Sequence, residues 1–127
     1  MMKPLSVGEV LHGLYHIKEV VGQGGNSYVY LVEDKDIGLL LVKEYMYGLG
    51  DVVDFYELDR DLSGDVIGKT EKKFHEWQRF NKTMALKEQH QLKQLRLAGF
   101  AFYEAALQPF EEHHTYYTPI LIQWGTL

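Results

Sequence analysis

The sequence of 127 residues contains no cysteine, no long apolar run and fewer basic than acidic side chains. Without cysteine the chain has neither disulfides nor thiolate metal ligands, so a reducing compartment is the simplest expectation. The longest aliphatic run, residues 39–42, is far too short to span a bilayer, and the first residues lack the apolar core of a secretion signal. We therefore expect one soluble, cytoplasmic domain over residues 1–127, with no membrane contact.

Charge is unevenly distributed along the chain, whose formal net charge is -5. Eight of the 13 basic residues lie between Lys69 and Arg96, whereas the six acidic residues between Asp51 and Asp65 are accompanied only by Arg60. This pattern indicates an acidic, solvated loop that precedes a basic helix face. The basic stretch lacks the interleaved aromatic platform of single-strand binders, so we predict no nucleic-acid partner.

Three alternating apolar runs in the first half of the chain predict strands, at residues 15–21, 28–33 and 39–45. A glycine-rich turn over residues 22–27 joins the first two strands, and a polar turn joins the second to the third. Such short connections predict an antiparallel meander. In dinucleotide-binding folds similar glycines open a helix, whereas here a strand follows them, which excludes that fold. A plain hairpin connection remains an alternative to a phosphate-covering loop.

Residues 46–69 show no apolar period and are rich in acids and glycine, which predicts a mobile acidic insertion at the surface. Thr70 is then placed to cap a long helix and Gly99 to end it, with Asn81 as the point where the helix could break.

The predicted helix carries a carboxylate within its apolar stripe. Met84, Leu92 and Leu95 are spaced to share one face, and Glu88 lies among them. A carboxylate on a buried face is costly unless it meets a cation. Lys43, which arrives on the third strand, is the natural partner.

Two further strands are predicted after the helix, at residues 103–110 and 115–123, although Pro109 and Pro119 each remove a ladder donor. His113 and His114 lie in the turn between them and project in opposite directions, so we predict no metal site there. The predicted fold is therefore α+β, with a five-stranded antiparallel sheet and one long helix.

The order of these elements resembles the N-terminal, ATP-binding lobe of bacterial serine/threonine protein kinases, from about residue 5 to residue 127. The glycine-rich turn is similar to the family's Gly-x-Gly-x-x-Gly-x-Val loop, with Ser27 at the third glycine position. The segment 42–45 is similar to the strand that carries the phosphate-binding lysine, and the segment 86–95 is similar to helix C. The segment 115–127 looks like the fifth strand and the hinge.

The resemblance implies that the chain binds ATP, with Mg²⁺ if a second lobe is supplied. In the family the glycine loop covers the phosphates, the strand lysine contacts them, a helix glutamate orients the lysine, and the hinge backbone binds the adenine. The positions of this sequence that match those roles are Gly22, Gly24, Gly25, Ser27, Val29, Lys43, Glu88, Gln123 and Trp124.

Three departures from the family pattern bear on activity. Leu41 stands where the family usually has Ala against the adenine ring, which could crowd the base. Forty-five positions separate Lys43 from Glu88, more than is usual in the family. Neither a catalytic loop nor a metal-binding Asp follows the hinge, so we expect no catalytic residue and no phosphoryl transfer by this chain alone.

Two functions remain open at this point. The chain is either the nucleotide-binding lobe of a serine/threonine kinase-like protein or a pseudokinase-like regulatory module that binds a protein and not ATP. In both cases the face that a second lobe would cover is expected to be an interface, with a protein partner or with a second copy in a homo-oligomer.

Overall fold

The computed structural model describes residues 2–97, 105–106 and 108–121. Nine strands and one helix lie within these ranges: β1 (Val10–Leu11), β2 (Tyr15–Gln23), β3 (Ser27–Asp34), β4 (Gly38–Tyr45), β5 (Leu58–Arg60), β6 (Val66–Gly68), α1 (Glu71–Leu97), β7 (Ala105–Ala106), β8 (Phe110–Glu112) and β9 (Thr115–Leu121).

The main sheet is antiparallel and follows the order β1-β2-β3-β4-β9-β7, with β8 also paired to β9. The predicted α+β class and the meander β2-β3-β4 are confirmed. The predicted count of five strands was wrong, since the described path has six strands and β8 adds a seventh. The additional first strand is the two-residue β1, which pairs with the start of β2 and is too short to show an alternating pattern.

Proline explains how the last predicted strands differ from the observed ones. The described part of the predicted strand 103–110 consists of β7 and the start of β8, and Pro109 lies between them outside either strand. On β9, Ala106 pairs with Ile120 and Phe110 pairs with Tyr117. The gap between β7 and β8 therefore lies beside Pro119, which has no N–H to offer to a neighbouring strand.

Consecutive residues of β4 point to opposite faces of the sheet, as the period of a strand requires. Leu40, Val42 and Glu44 are buried in the main core, together with Tyr30 of β3 and Tyr117 of β9. Lys43 lies on the other face, which α1 approaches. The strand therefore presents a carboxylate to the core and an ammonium to the helix from two adjacent positions.

The acidic insertion is more ordered than its composition predicts. Residues 58–60 and 66–68 form a separate antiparallel hairpin, β5-β6, in which Leu58 and Val66 belong to the main core. The Val66 N–H donates to the carbonyl of His113 at 2.9 Å, which ties the hairpin to the turn before β9. The expectation of an irregular surface segment was therefore wrong for the hairpin, because two apolar residues were too few to stand out among the acids.

A buried ion pair joins this hairpin to the sheet. Arg60 Nη2 lies 2.8 Å from Glu44 Oε1, with only 2% of the arginine side chain and 0% of the glutamate side chain exposed. Tyr30 also donates to Oε1, at 2.6 Å, and Thr115 and Tyr117 donate to Oε2 at 2.9 and 2.6 Å. Each carboxylate oxygen thus accepts two hydrogen bonds, which is the condition under which a buried charge is tolerated.

Arg60 is itself well satisfied by the backbone around it. Its Nε donates to the carbonyl of Lys3 at 2.9 Å, and its Nη1 donates to the carbonyl of Gly64 at 2.8 Å. Burial opposes the positive charge, but the adjacent Glu44 carboxylate outweighs it and raises the pKa of Arg60 above its ordinary value. The N-terminal segment and the hairpin are therefore both held by one guanidinium.

Helix α1 begins as the sequence predicts. Thr70 Oγ1 accepts a hydrogen bond from the N–H of Lys73 at 3.2 Å, and Glu71 places an acid in the first turn. The helix runs without interruption through Asn81, so the predicted break was wrong. Its described buried positions are spaced four apart, at Trp77, Asn81 and Ala85. The predicted helix end at Gly99 lies outside the described residues.

In the ranges that the structure describes, no helix combines the length and the apolar character needed to cross a membrane.

Arg60→Leu is expected to lower the free energy of unfolding by about 3–5 kcal/mol, because it leaves Glu44 buried without its cation. The matched control is Lys18→Leu, since Lys18 pairs with Glu33 at 3.5 Å with half of each side chain exposed. That change should cost about 0–1 kcal/mol. Urea unfolding of both variants measures the difference, and equal costs would show that the buried pair does not hold the hairpin.

Candidate functional site

The site is built around an ion pair between β4 and α1. Lys43 Nζ lies 2.7 Å from Glu88 Oε1, and about a fifth of each side chain is exposed, at 22% and 20%. The predicted contact between these two residues is therefore present, despite the long segment between them. Val29 of β3 and Thr118 of β9 are the cross-strand neighbours of Lys43, so the pair lies in the middle of the sheet.

Two tyrosines that follow one another on the same face flank the pair. The ring of Tyr45 lies 5.5 Å from Lys43 Nζ, within cation-π range, and Tyr47 donates its hydroxyl to Glu88 Oε1 at 3.2 Å. Burial, and secondly the charge of Glu88, raise the pKa of Tyr47 above its ordinary value. Tyr47 therefore stays protonated around neutral pH and remains a donor to the carboxylate.

Thr118 links the helix to β9 directly beside the ion pair. Its Oγ1 accepts hydrogen bonds from Tyr45 Oη and from Gln89 Nε2, both at 3.0 Å. Gln89 follows Glu88 on α1, so two consecutive helix side chains reach two neighbouring strands. The ammonium is thus held on a surface that is already fixed by polar contacts.

One atom of the site has no hydrogen-bond partner among the described residues. Glu88 Oε2 is buried, and no residue of the described ranges forms a hydrogen bond with it. The other oxygen of this carboxylate, Oε1, accepts from both Lys43 and Tyr47.

The glycine-rich turn lies at the end of β2 and β3 that adjoins this pair. The Gly24 N–H donates to the carbonyl of Ser27 at 3.0 Å, which closes the turn, and the carbonyl of Asn26 accepts from the N–H of Met46 just after β4. The predicted order of strand, glycine turn and strand is confirmed, and it differs from the strand–helix order of dinucleotide-binding folds.

The three glycines of this turn have different structural roles. A Cβ on Gly22 would lie 3.2 Å from the Cβ of Val29, its partner across the strands, so packing accounts for this glycine. At Gly24 and Gly25 a Cβ would meet nothing within 4 Å, and neither residue has a positive φ. The fold therefore does not require glycine at these two positions.

An apolar row lies next to the ion pair on the same face. Leu41 is two residues before Lys43 and pairs across the strands with Leu31 and Ile120. Ile120 is buried and the two leucines are half-buried. A base that reached this face would meet a leucine where a smaller residue would leave more room.

The remaining predicted contacts fall elsewhere. Gln123 and Trp124, the proposed adenine-binding positions, lie outside the described residues. Over the described portion of the chain, no three His, Asp or Glu side chains are grouped so that they could hold a metal ion. Of the two histidines expected in a solvated turn, His114 is exposed and His113 is half-buried. The ring of His113 bonds to the Tyr117 hydroxyl at 2.9 Å, and the ring of His114 bonds to the Val66 carbonyl at 3.0 Å.

The sequence matches no protein-family model and no curated protein. The structure is similar to a solved structure of PpkA-294 in its apo form, which is a bacterial kinase, with a TM-score of 0.71 and 21% sequence identity. The match covers 97% of this chain and 40% of that one. The fold is kinase-like. At this identity the similarity concerns the fold, and the chain spans less than half of the structure that it matches.

Sequence reasoning missed two residues that shape the site, Tyr47 and Asn81. Tyr47 falls within the predicted irregular insertion, and the sequence marks Asn81 only as a helix breaker. Asn81 lies seven residues before Glu88, which places both on one helix face, and that spacing was the available signal.

Gly22→Ala is expected to lower the free energy of unfolding by about 1–3 kcal/mol, because the new methyl group presses on Val29 within a paired strand. Gly24→Ala should leave it within about 1 kcal/mol of the original value, since its methyl group meets open space. Urea unfolding without ligand measures both. If Gly24→Ala lowers the free energy of unfolding as much as Gly22→Ala does, the structure of the turn is enough to explain all of its glycines.

Proposed function

We propose that this chain is the nucleotide-binding lobe of a serine/threonine kinase-like protein and that its ligand is ATP, with Mg²⁺ if a second lobe is supplied. The observation that supports this most strongly is the Lys43–Glu88 ion pair of 2.7 Å, which lies across from Val29 at the end of a glycine turn. An ammonium held by a carboxylate is suited to bind phosphate oxygens, because the carboxylate fixes its position and compensates its partial burial.

The glycine turn supplies the second part of this proposed site. Gly24 and Gly25 carry no side chain although their surroundings would accept one. Bare backbone allows N–H groups to approach phosphate oxygens closely, and Ser27 keeps a small side chain at the third position. We assign phosphate cover to Gly22, Gly24, Gly25, Ser27 and Val29, and adenine contacts to the backbone of Gln123 and Trp124.

We limit the proposal to binding. Lys43 would neutralise phosphate charge, and Glu88 would orient Lys43. The cytoplasm is the proposed compartment because it supplies the nucleotide.

A thermal-shift titration with Mg-ATP tests this function. The original chain should be stabilised by about 2.7 kcal/mol when the ligand is at one hundred times its dissociation constant, and Lys43→Met should abolish the stabilisation. Lys18→Met is the control, since Lys18 is also a strand lysine in an ion pair but lies exposed on β2. It should retain the full shift. No shift in any of the three proteins would contradict nucleotide binding.

A second candidate is a regulatory module that binds a protein partner, or a second copy of itself, without ATP. The row Leu31, Leu41 and Ile120 favours this function, because it fills the face beside Lys43 with apolar side chains. Such a face suits contact with an apolar surface, and a leucine at position 41 crowds a flat base. Fold similarity does not distinguish the two candidates.

Leu41→Ala is expected to increase the stabilisation by Mg-ATP, because it removes side-chain volume from the face on which the base would lie. The change also removes a half-buried apolar side chain and so lowers the stability of the chain itself. The shift is therefore measured against the same variant without ligand. Leu39→Ala serves as the control on the same face, since Leu39 is 48% exposed. A smaller shift for Leu41→Ala would show that the leucine assists binding.

A further inference from the structure

Asn81 is a fully buried polar residue in the middle of α1, with 0% of its surface exposed. Its side-chain amide is bonded at both ends to the chain that leaves β4. Oδ1 accepts a hydrogen bond from the N–H of Tyr47 at 2.8 Å, and Nδ2 donates to the carbonyl of Tyr45 at 2.9 Å. Tyr45 is the last residue of β4 and lies one residue beyond the last pair of β4 with β9, and Tyr47 lies beyond the end of the strand. On that side the amide therefore takes the place of a neighbouring strand.

The position of Asn81 on the helix relates it to the ion pair. Seven residues separate it from Glu88, which corresponds to two turns, or about 10 Å along one face. Tyr47 spans this distance: its backbone N–H binds Asn81, and its hydroxyl binds Glu88 Oε1 at 3.2 Å. A shift of α1 along β4, or a rotation about its own axis, would break these contacts together with the contact between Lys43 and Glu88.

We infer that Asn81 is a positioning residue that fixes the register of α1 against β4, so that the Lys43–Glu88 ion pair stays closed without a ligand. A helix held only by apolar packing could slide or rotate at small cost, because such contacts are not directional. Two hydrogen bonds to a buried amide are directional and fail together on displacement. We call the contacts of Asn81 with Tyr45 and Tyr47 the clamp. The clamp does not depend on nucleotide binding, whereas its benefit for ligand affinity rests on the proposed function.

The clamp also explains how the pair tolerates the long insertion before the helix. The insertion leaves β4 at Tyr45 and returns at Thr70. The connection alone would therefore allow α1 to take several positions along β4. Asn81 binds the first residues of that same connection, at positions 45 and 47. The position of α1 along β4 is therefore fixed close to Lys43 and does not depend on the length of the insertion.

Chemical labelling of lysines in the full chain without nucleotide tests this inference. An amine-acylating reagent is added briefly, and mass spectrometry gives the ratio of label on Lys43 to label on Lys18, whose exposed pair with Glu33 serves as an internal reference. Asn81→Leu should raise this ratio by roughly tenfold, the change expected when two buried hydrogen bonds no longer keep the pair closed. Glu88→Gln defines the ratio for a lysine without its carboxylate.

Controls separate positioning from a general loss of stability. Lys82→Leu makes a similar apolar change at the neighbouring exposed position and should leave the ratio unchanged. Circular dichroism confirms that each labelled variant is folded. If Asn81→Leu does not fold, Asn81→Ser is measured in the same way. A folded variant at position 81 with the original ratio would overturn the inference.

The two proposals fail separately. Because labelling is done without nucleotide, a chain that shows no thermal shift with Mg-ATP still reports on the clamp. An unchanged labelling ratio, in turn, leaves the titration of the original chain and of Lys43→Met unaffected.

Discussion

The carboxylate of Glu44 is the interaction on which the rest of this structure depends. It is fully buried and accepts four hydrogen bonds, from Tyr30, Arg60, Thr115 and Tyr117. These donors come from β3, β5 and β9, and Arg60 extends the network to the N-terminal segment. A buried charge is stable only while its partners remain in place. Separate parts of the chain are therefore required to assemble together around one side chain.

This core explains why the site is present although the segment between Lys43 and Glu88 is long. The insertion is not a loose loop, because Arg60 anchors its β5-β6 hairpin to the core side of β4. On the other side of the same strand, Tyr47 and Asn81 bring α1 against Lys43. The two ends of the insertion are thus anchored independently, and the chain between them has room to vary.

Much of the kinase-like fold and the central contact of the site follow from the sequence. Period-two runs predict β2, β3 and β4, the cap at Thr70 predicts the start of α1, and a carboxylate in an apolar stripe predicts the partner of Lys43. These signals are local, or they involve one charge that needs another. The assignment of ligand-binding roles to these residues remains a prediction.

The features that sequence reasoning missed depend on partners far along the chain. Arg60 looked like a lone base in an acidic loop, and only the folded sheet brings Glu44 to it. Asn81 has a low helix propensity, which favoured a break, but bonds to Tyr45 and Tyr47 outweigh that preference. Strands β1, β7 and β8 have two or three residues each, too few to establish a period.

The adjacency of Lys43 and Glu44 has a consequence for how the sheet can assemble. If β4 were to pair with β3 one residue out of step, every side chain would change faces. The lysine would then enter the core opposite Arg60, and the glutamate would meet Glu88. Both arrangements place like charges together in poorly solvated surroundings, so the mispaired sheet is penalised on each side at once. These two neighbouring charges therefore make correct alignment of the central strand a condition of folding.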